Sequence, residues 1–419
     1  MNLTKSTQTA RGLRRSLQCV TNAGRIEATS RPHRVSIASV QLSRACRGSG
    51  LAILLTGASL HAQGGVSLSA SAAREFPTEF TSIRALRELS DGRVLVVDSR
   101  EYRLLVLDWE RGTFHAILRS GDGPGEFRSL NALVALSADT TLVVDGTARR
   151  LLTLHRDRFV GTVSTEQALH LTQFFSLING ADRAGGLLAL AAIPNASDPQ
   201  RAVYTRMPNF ADSLLAVRLH RTGRRIDTVA ALRGRPWGRG EFERGEGGRR
   251  LGYIVGNPLA VGEQAWLFAD GVVAILRKEP YRVDWITSDG KVRRGAPIEG
   301  PEAAVTAADR RFALDTRFRE IPPPRLREEE FTGWPTLLPA FTSEALLPLP
   351  DGRVAVERAV TLHRAAPRVD VIDRTGARVA TLELGVGERV LGFGREFVYV
   401  VRRDEDDVEY LSRRSWPPR

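Results

Sequence analysis

The chain has 419 residues, 42% hydrophobic, 26% charged and 7% aromatic, which excludes collagen-like, coiled-coil and disordered classes and allows one large domain or two. Its formal net charge of +12 points to an anionic partner only if the excess lies in the folded part. Nine basic side chains and one acid fall within residues 1–62, so the remainder carries only +4 of that charge and no nucleic-acid partner is expected.

Leu51–Leu60 is an apolar run preceded by Arg44 and Arg47 and followed by His61, Ala62 and Gln63, the order of a secretory signal. A membrane span needs about 20 apolar residues, so no stable membrane insertion is expected. Residues 1–62 read as a basic leader with signal peptide, and 63–419 as one exported domain, periplasmic or extracellular. Both cysteines, Cys19 and Cys46, precede the expected cleavage after Ala62. The exported chain therefore has neither a disulfide nor a thiolate zinc site.

Beyond the leader the sequence repeats. Aligning Arg93–Asp98 with Thr140–Asp145 also superposes Arg103–Leu105 on Arg150–Leu152 and Leu107 on Leu154. Each unit is apolar strand, short turn, apolar strand. Weaker copies run from Leu177 through Gly186–Ala192 to Leu214–Leu219, through Leu259–Gly290 with Ala265–Asp270 and Tyr281–Ile286, and through Asp351–Val354, which repeats Asp91–Val94 letter for letter, to Val369–Asp373. The last is Val390–Gly394, Phe397–Val401 and Val408–Leu411. A four-stranded unit recurring about every 40–50 residues predicts an all-β fold, a six-bladed β-propeller of four-stranded antiparallel blades. Two β-sandwich domains or a seven-bladed ring are the alternatives. The last unit is one strand short, and Val66–Ser71 is expected to supply its outer strand and close the ring.

Val97–Leu107, a strand ending in Asp98, a polar turn, Arg103 and an apolar strand, resembles the NHL repeat, and Asp145–Leu154 matches it more loosely. Gly121–Phe127, Tyr281–Gly290 and Val398–Tyr410 resemble exported six-bladed β-propeller proteins of bacteria. The resemblance covers roughly residues 80–415 and implies the fold; the group has no shared catalytic motif to carry over.

In a propeller the b-to-c turns and the d-to-a connections share one face. Three connections, Gly121–Phe127, Arg235–Gly256 and Pro301–Ala340, are all d-to-a and should gather there. Gly123–Phe127 and Gly238–Phe242 share a Gly-x-Gly-Glu-Phe pattern expected to form tight glycine elbows. The third insert, within 301–340, reads as a short helix over Ala303–Phe318 between blades 4 and 5, then proline-rich chain. Polar residues at the starts of inner strands are expected to line the channel near that face: Arg84, Asn131 and Asn257, then Thr342 and Glu344. Trp237 with Arg235 and Arg239 offers stacking and pairing with an anionic group. Asp98 and Asp145 read as structural, accepting backbone hydrogen bonds in the turns they precede.

Catalytic constellations are missing. His115, His155, His170, His220 and His363 show no His-x-His or His-Glu-x-x-His spacing, and no Gly-x-Ser-x-Gly elbow occurs. Glu328–Glu330 and Asp404–Asp407 lack an EF-hand pattern and read as solvated turns. The sequence thus favours a non-catalytic, monomeric, exported protein without a cofactor, binding a protein, peptide or glycan at Arg84, Asn131, Arg235, Trp237, Arg239 and Asn257. The alternative is a propeller hydrolase or lactonase-like enzyme with an axial divalent metal such as calcium.

Overall fold

A strand with one solvated face alternates between buried and exposed residues; Val94–Asp98 is instead buried at every position. Its sheet must therefore be covered on both faces. The computed structural model describes residues 66–67, 73–165, 178–192, 213–221, 225–244, 249–300, 303–317, 327–331, 333–359 and 366–416. The expected leader, His170 and His363 lie outside the described residues.

The described strands form a propeller arrangement of four-stranded antiparallel sheets. In the first repeat the order from inside outward is Ile83–Glu88, Val94–Asp98, Arg103–Asp108 and Thr113–Ser120. The second repeats it with Leu130–Ala135, Thr140–Asp145, Arg150–His155 and Arg158–Ser164. An eight-stranded sheet contains the third and fourth repeats, which meet through one parallel bridge, Gly180 to Leu267. The innermost strands neighbour one another in the order Ile83–Glu88, Leu130–Ala135, Ile178–Ala181, Gln264–Leu267, Leu346–Pro348 and Glu388–Phe393, which returns to Ile83–Glu88.

The core is divided accordingly into separate clusters, each between two successive repeats. Val94 and Val96 face Tyr399, Val401 and Leu411 of the last repeat. Leu95 and Val97, one position along, face Val143, Leu152 and Leu154 of the second. Each such side chain contributes roughly 1.5–3 kcal/mol on burial, so a run of consecutive apolar residues fits a strand packed on both faces.

Ring closure differs from the expectation. The outer strand beside Glu409–Ser415 is Ala73–Phe80, while Val66–Ser67 pairs in parallel with Arg378–Glu383 of the fifth repeat. The cause is aromatic content: Phe76 and Phe80 are buried between the last and first repeats, and Phe76 packs edge-on against Trp109 at 5.2 Å. The 66–71 segment, of which residues 68–71 lie outside the described residues, has no aromatic residue in its sequence.

The Arg235–Gly256 connection is a β-hairpin, Trp237–Arg244 paired with Arg249–Gly256, so Gly238–Phe242 lies in a strand and not in a glycine elbow. Gly123–Phe127 does form the elbow: Gly125 has φ 74°, and the Glu126 carboxylate accepts the Gly123 N–H at 2.8 Å. The insert helix is Ala307–Arg317; Asp309 and Thr306 cap each other, the Asp309 N–H donating to Thr306 Oγ1 at 3.2 Å and the Thr306 N–H to Asp309 at 2.8 Å.

Candidate functional site

The face carrying the b-to-c turns is built on buried carboxylates. Asp98 accepts from Thr81 Oγ1 at 2.7 Å, the Ser82 N–H at 3.2 Å and Arg103 at 3.0 Å. Asp145 accepts from the Arg128, Ser129 and Ala148 N–H groups at 2.9, 3.0 and 3.2 Å and from Arg150 at 3.0 Å. Most of these backbone donors lie at the entry to the inner strand, and only Ala148 belongs to the following turn. Each aspartate thus ties the second strand to the head of the first.

Later repeats reach the same result with other residues. Glu263 and Asp284 share Arg277, at 2.7 and 3.1 Å. Asp370 accepts from Arg358 at 2.7 Å and from the Tyr281 hydroxyl of the preceding repeat at 3.1 Å. Burial, with the Asp370 charge beside it, pushes the Tyr281 hydroxyl up, so it stays a donor. Glu409 accepts from Arg403 at 2.7 Å and from Arg389 at 3.2 Å.

Within this frame the inner-strand heads form the channel mouth. Four residues before the last residue of five of the inner strands stand Arg84, Asn131, Glu263, Glu344 and Arg389; the corresponding position before Ala181 lies outside the described residues. Arg84 and Asn131 occupy β-bulges, skipped between the pairs Ile83–Asp98 and Ala85–Val97, and Leu130–Asp145 and Ala132–Val144. Such bulges re-aim a residue and recur beside binding sites. Glu263 is buried and neutralised by Arg277, and Arg389 is committed to Glu409 and the Ile83 carbonyl at 2.6 Å. Arg84 and Glu344 are exposed, and among the described residues neither forms a hydrogen bond or ion pair.

Glu357, at the end of a second strand, is bonded through its backbone to residues on either side of Glu344: its N–H donates to the Ala345 carbonyl at 3.1 Å and its carbonyl accepts the Thr342 N–H at 3.1 Å. Burial lifts its carboxyl above the usual carboxylate range; Arg389 opposes this and Glu344 adds to it. Its carboxylate accepts no hydrogen bond among the described residues.

The two large inserts meet over this face, Gly333 of one lying against Pro236 at the foot of the hairpin. Trp334 stacks near Phe331, their centroids 5.7 Å apart, and donates to the Glu328 carbonyl at 3.1 Å, with Arg310 paired to Glu328. Arg235 lays its guanidinium against Gly256. Trp237 and Arg239 belong to the first hairpin strand. Asn257 is fully buried, and its Oδ1 accepts from the Leu259 and Ala260 N–H groups at 3.0 and 3.3 Å. It turns the chain out of the hairpin; the inner strand it was expected to begin starts at Gln264.

Glu357 and Arg389 were not foreseen from the sequence. The repeated Asp-Gly-Arg-Val supplies a signal for Glu344: counted back from Asp91 and Asp351, Arg84 and Glu344 hold the same place.

On the opposite face arginines clamp neighbouring repeats through backbone carbonyls: Arg87 to Thr140 at 2.8 Å, Arg218 to Gly271 at 2.6 Å and Arg395 to Leu89 at 3.3 Å. His115 lies 3.8 Å from Asp157 and His220 2.9 Å from Asp227, both away from the mouth. Among the described residues no three His, Cys, Asp or Glu side chains are grouped as a metal site, and no helix is long and apolar enough to cross a membrane.

No protein-family profile matches the sequence, and no curated protein matches it. Among solved structures the chain is similar to a Bacteroides fragilis protein described as exported, with TM-score 0.43 and 11% identity over 83% of this chain and 95% of that one. It is similar to U3-55K at TM-score 0.41 and 13% identity, over 83% and 99% of the two chains. A luciferin-regenerating enzyme matches at TM-score 0.39 and 11% identity, over 83% and 95%. Likenesses this remote carry no assignment; the propeller arrangement rests on strand order and the clusters between the sheets.

Proposed function

We propose that this chain is an exported, monomeric six-bladed propeller of NHL-like repeats that binds a protein, peptide or glycan on its insert-bearing face without catalysing a reaction. The blade count is supported by the cyclic order of the inner strands and by the single bridge, Gly180 to Leu267, that divides the eight-stranded sheet. The Asp98–Arg103 and Asp145–Arg150 ion pairs, both 3.0 Å, support the repeat type. Export rests on the basic, apolar, small-residue order ending at Ala62, just ahead of Val66–Ser67.

The observation that carries the reading is the meeting of the hairpin and the 301–340 insert at Pro236 and Gly333, on the face where Arg84 is exposed and without a partner among the described residues. Long inserts that gather on one face of a rigid scaffold are where binding residues concentrate. Arg84, Asn131, Arg235, Trp237 and Arg239 are the contact residues in this reading, with Asn257 holding the hairpin foot. No resident cofactor is required. A stoichiometric, chelator-sensitive divalent ion in the purified exported protein would replace this reading with the metal-dependent enzyme.

A photo-crosslinking residue at position 237, compared with one at 353 on the opposite face, tests the choice of face in the native compartment. Adducts at 237 and none at 353 are expected, and Trp237→Ala should weaken binding of the captured ligand by about 1 kcal/mol or more. Adducts at 353 alone would assign the site to the other face.

A further inference from the structure

Of the charged residues at the ring position of the inner strands, Glu263 and Arg389 are consumed by internal ion pairs, which leaves Arg84 in the first repeat and Glu344 in the fifth. They hold one register level and flank the last repeat, whose Arg389 donates to the Ile83 carbonyl of the first at 2.6 Å. Glu357 adds a second carboxylate beside Glu344 that accepts no hydrogen bond among the described residues.

The mouth is thus polarised, an arginine on one side and two carboxylates on the other. A purely anionic ligand would be repelled by Glu344 and Glu357, and a purely cationic one by Arg84. A ligand with one charge of each sign at its two ends satisfies both. Deepening, and resting on, the reading of this face as a binding site, we propose that the mouth binds a short peptide with free ends, its terminal carboxylate on Arg84 and its terminal ammonium on Glu344 and Glu357. Arginine takes a carboxylate through two parallel N–H donors, and carboxylates are charge-assisted acceptors for an ammonium. Length follows from the spacing. The strands that carry them lie two inter-sheet steps apart, each about 10 Å where sheets pack and less towards the axis. A peptide of about three to five residues at about 3.3–3.6 Å each reaches about 10–18 Å, on the scale of that separation.

Equilibrium dialysis of the exported protein against random pentapeptide pools, read by mass spectrometry, tests this. Four pools are compared: free ends, N-acetylated, C-amidated and doubly capped. Retention of the free pool at least tenfold above the doubly capped one is expected. Arg84→Gln should abolish discrimination against C-amidation and keep that against N-acetylation; Glu344→Gln should do the converse. Both residues are exposed, and an unchanged thermal melt of each variant establishes that the fold is kept. Equal retention of capped and free pools, or discrimination untouched by either substitution, overturns the proposal. So does the absence of any retained peptide, whereas the binding face itself is judged separately by the adducts at position 237.

Discussion

The Glu409 carboxylate accepts the backbone N–H of Ile83 at 2.6 Å, joining the last strand of the chain to the first inner strand. Glu409 is fully buried, and the partners Arg389 and Arg403 are half-exposed. Glu409→Ala would orphan a buried N–H and separate two guanidinium groups from their counter-charge. The expected loss is about 2–4 kcal/mol, below the full range for a broken buried pair because both arginines reach solvent. Glu409→Gln keeps one acceptor and should lose less than half as much. Urea unfolding with an unchanged slope is the measurement; equal losses for Ala and Gln would mean that the contact with Ile83 contributes nothing.

Asp98 is the same device within one repeat. A partly buried turn aspartate is worth about 1–2 kcal/mol, but Asp98 is fully buried under three donors. Asp98→Ala should therefore cost about 2–4 kcal/mol. Unchanged stability with lost ligand binding would make Asp98 a site residue.

The pH dependence of stability has two limbs. Asp284 resists burial through hydrogen bonds from Arg282 and Arg277, and Glu388 resists it through Arg414; both carboxyls are held below the usual range. A depressed value contributes stability above the ordinary carboxyl range of about 4 that is lost as pH falls. Glu357 has the opposite sign: its carboxyl is raised, so its contribution is fully favourable below about pH 4 and is lost as pH rises through its folded value. Glu357→Gln should melt higher than the parent at pH 8 and together with it at pH 4. A variant less stable at pH 8 would show that the carboxylate is satisfied as a charge.

The repeats were legible because a strand packed on both faces needs an unbroken apolar run, and Val94–Val97, Leu142–Val144 and Val398–Val401 supply it between Gly or Asp turns. The mouth was only half legible. Arg84 and Asn131 emerged from aligning the first two repeats, but a bulge shifts register by one residue and has no local sequence mark. Asn257 misled because asparagine suits a turn cap and a channel position equally well. The hairpin over Trp237–Gly256 was hidden by glycines that read as loop.

The outer strand of the last repeat gives a prediction in which two segments compete. Ala73–Phe80 runs antiparallel to Glu409–Ser415 and brings Phe76 and Phe80 into the cluster between last and first repeats. Val66–Ser67 adds two parallel pairings, to Leu382 and Glu383, at an outer edge. A protein beginning at residue 72 should therefore melt within a few degrees of one beginning at residue 63. One beginning at residue 81 loses two buried phenylalanines, each worth about 3–5 kcal/mol when truncated to alanine, and exposes the edge of Glu409–Ser415 to pairing with other chains. That sum is comparable to the 5–15 kcal/mol stability of a typical domain, so the shorter protein should fail to fold or aggregate, as read by circular dichroism and light scattering. A stable monomer from residue 81 would mean that the ring closes without the amino-terminal strand.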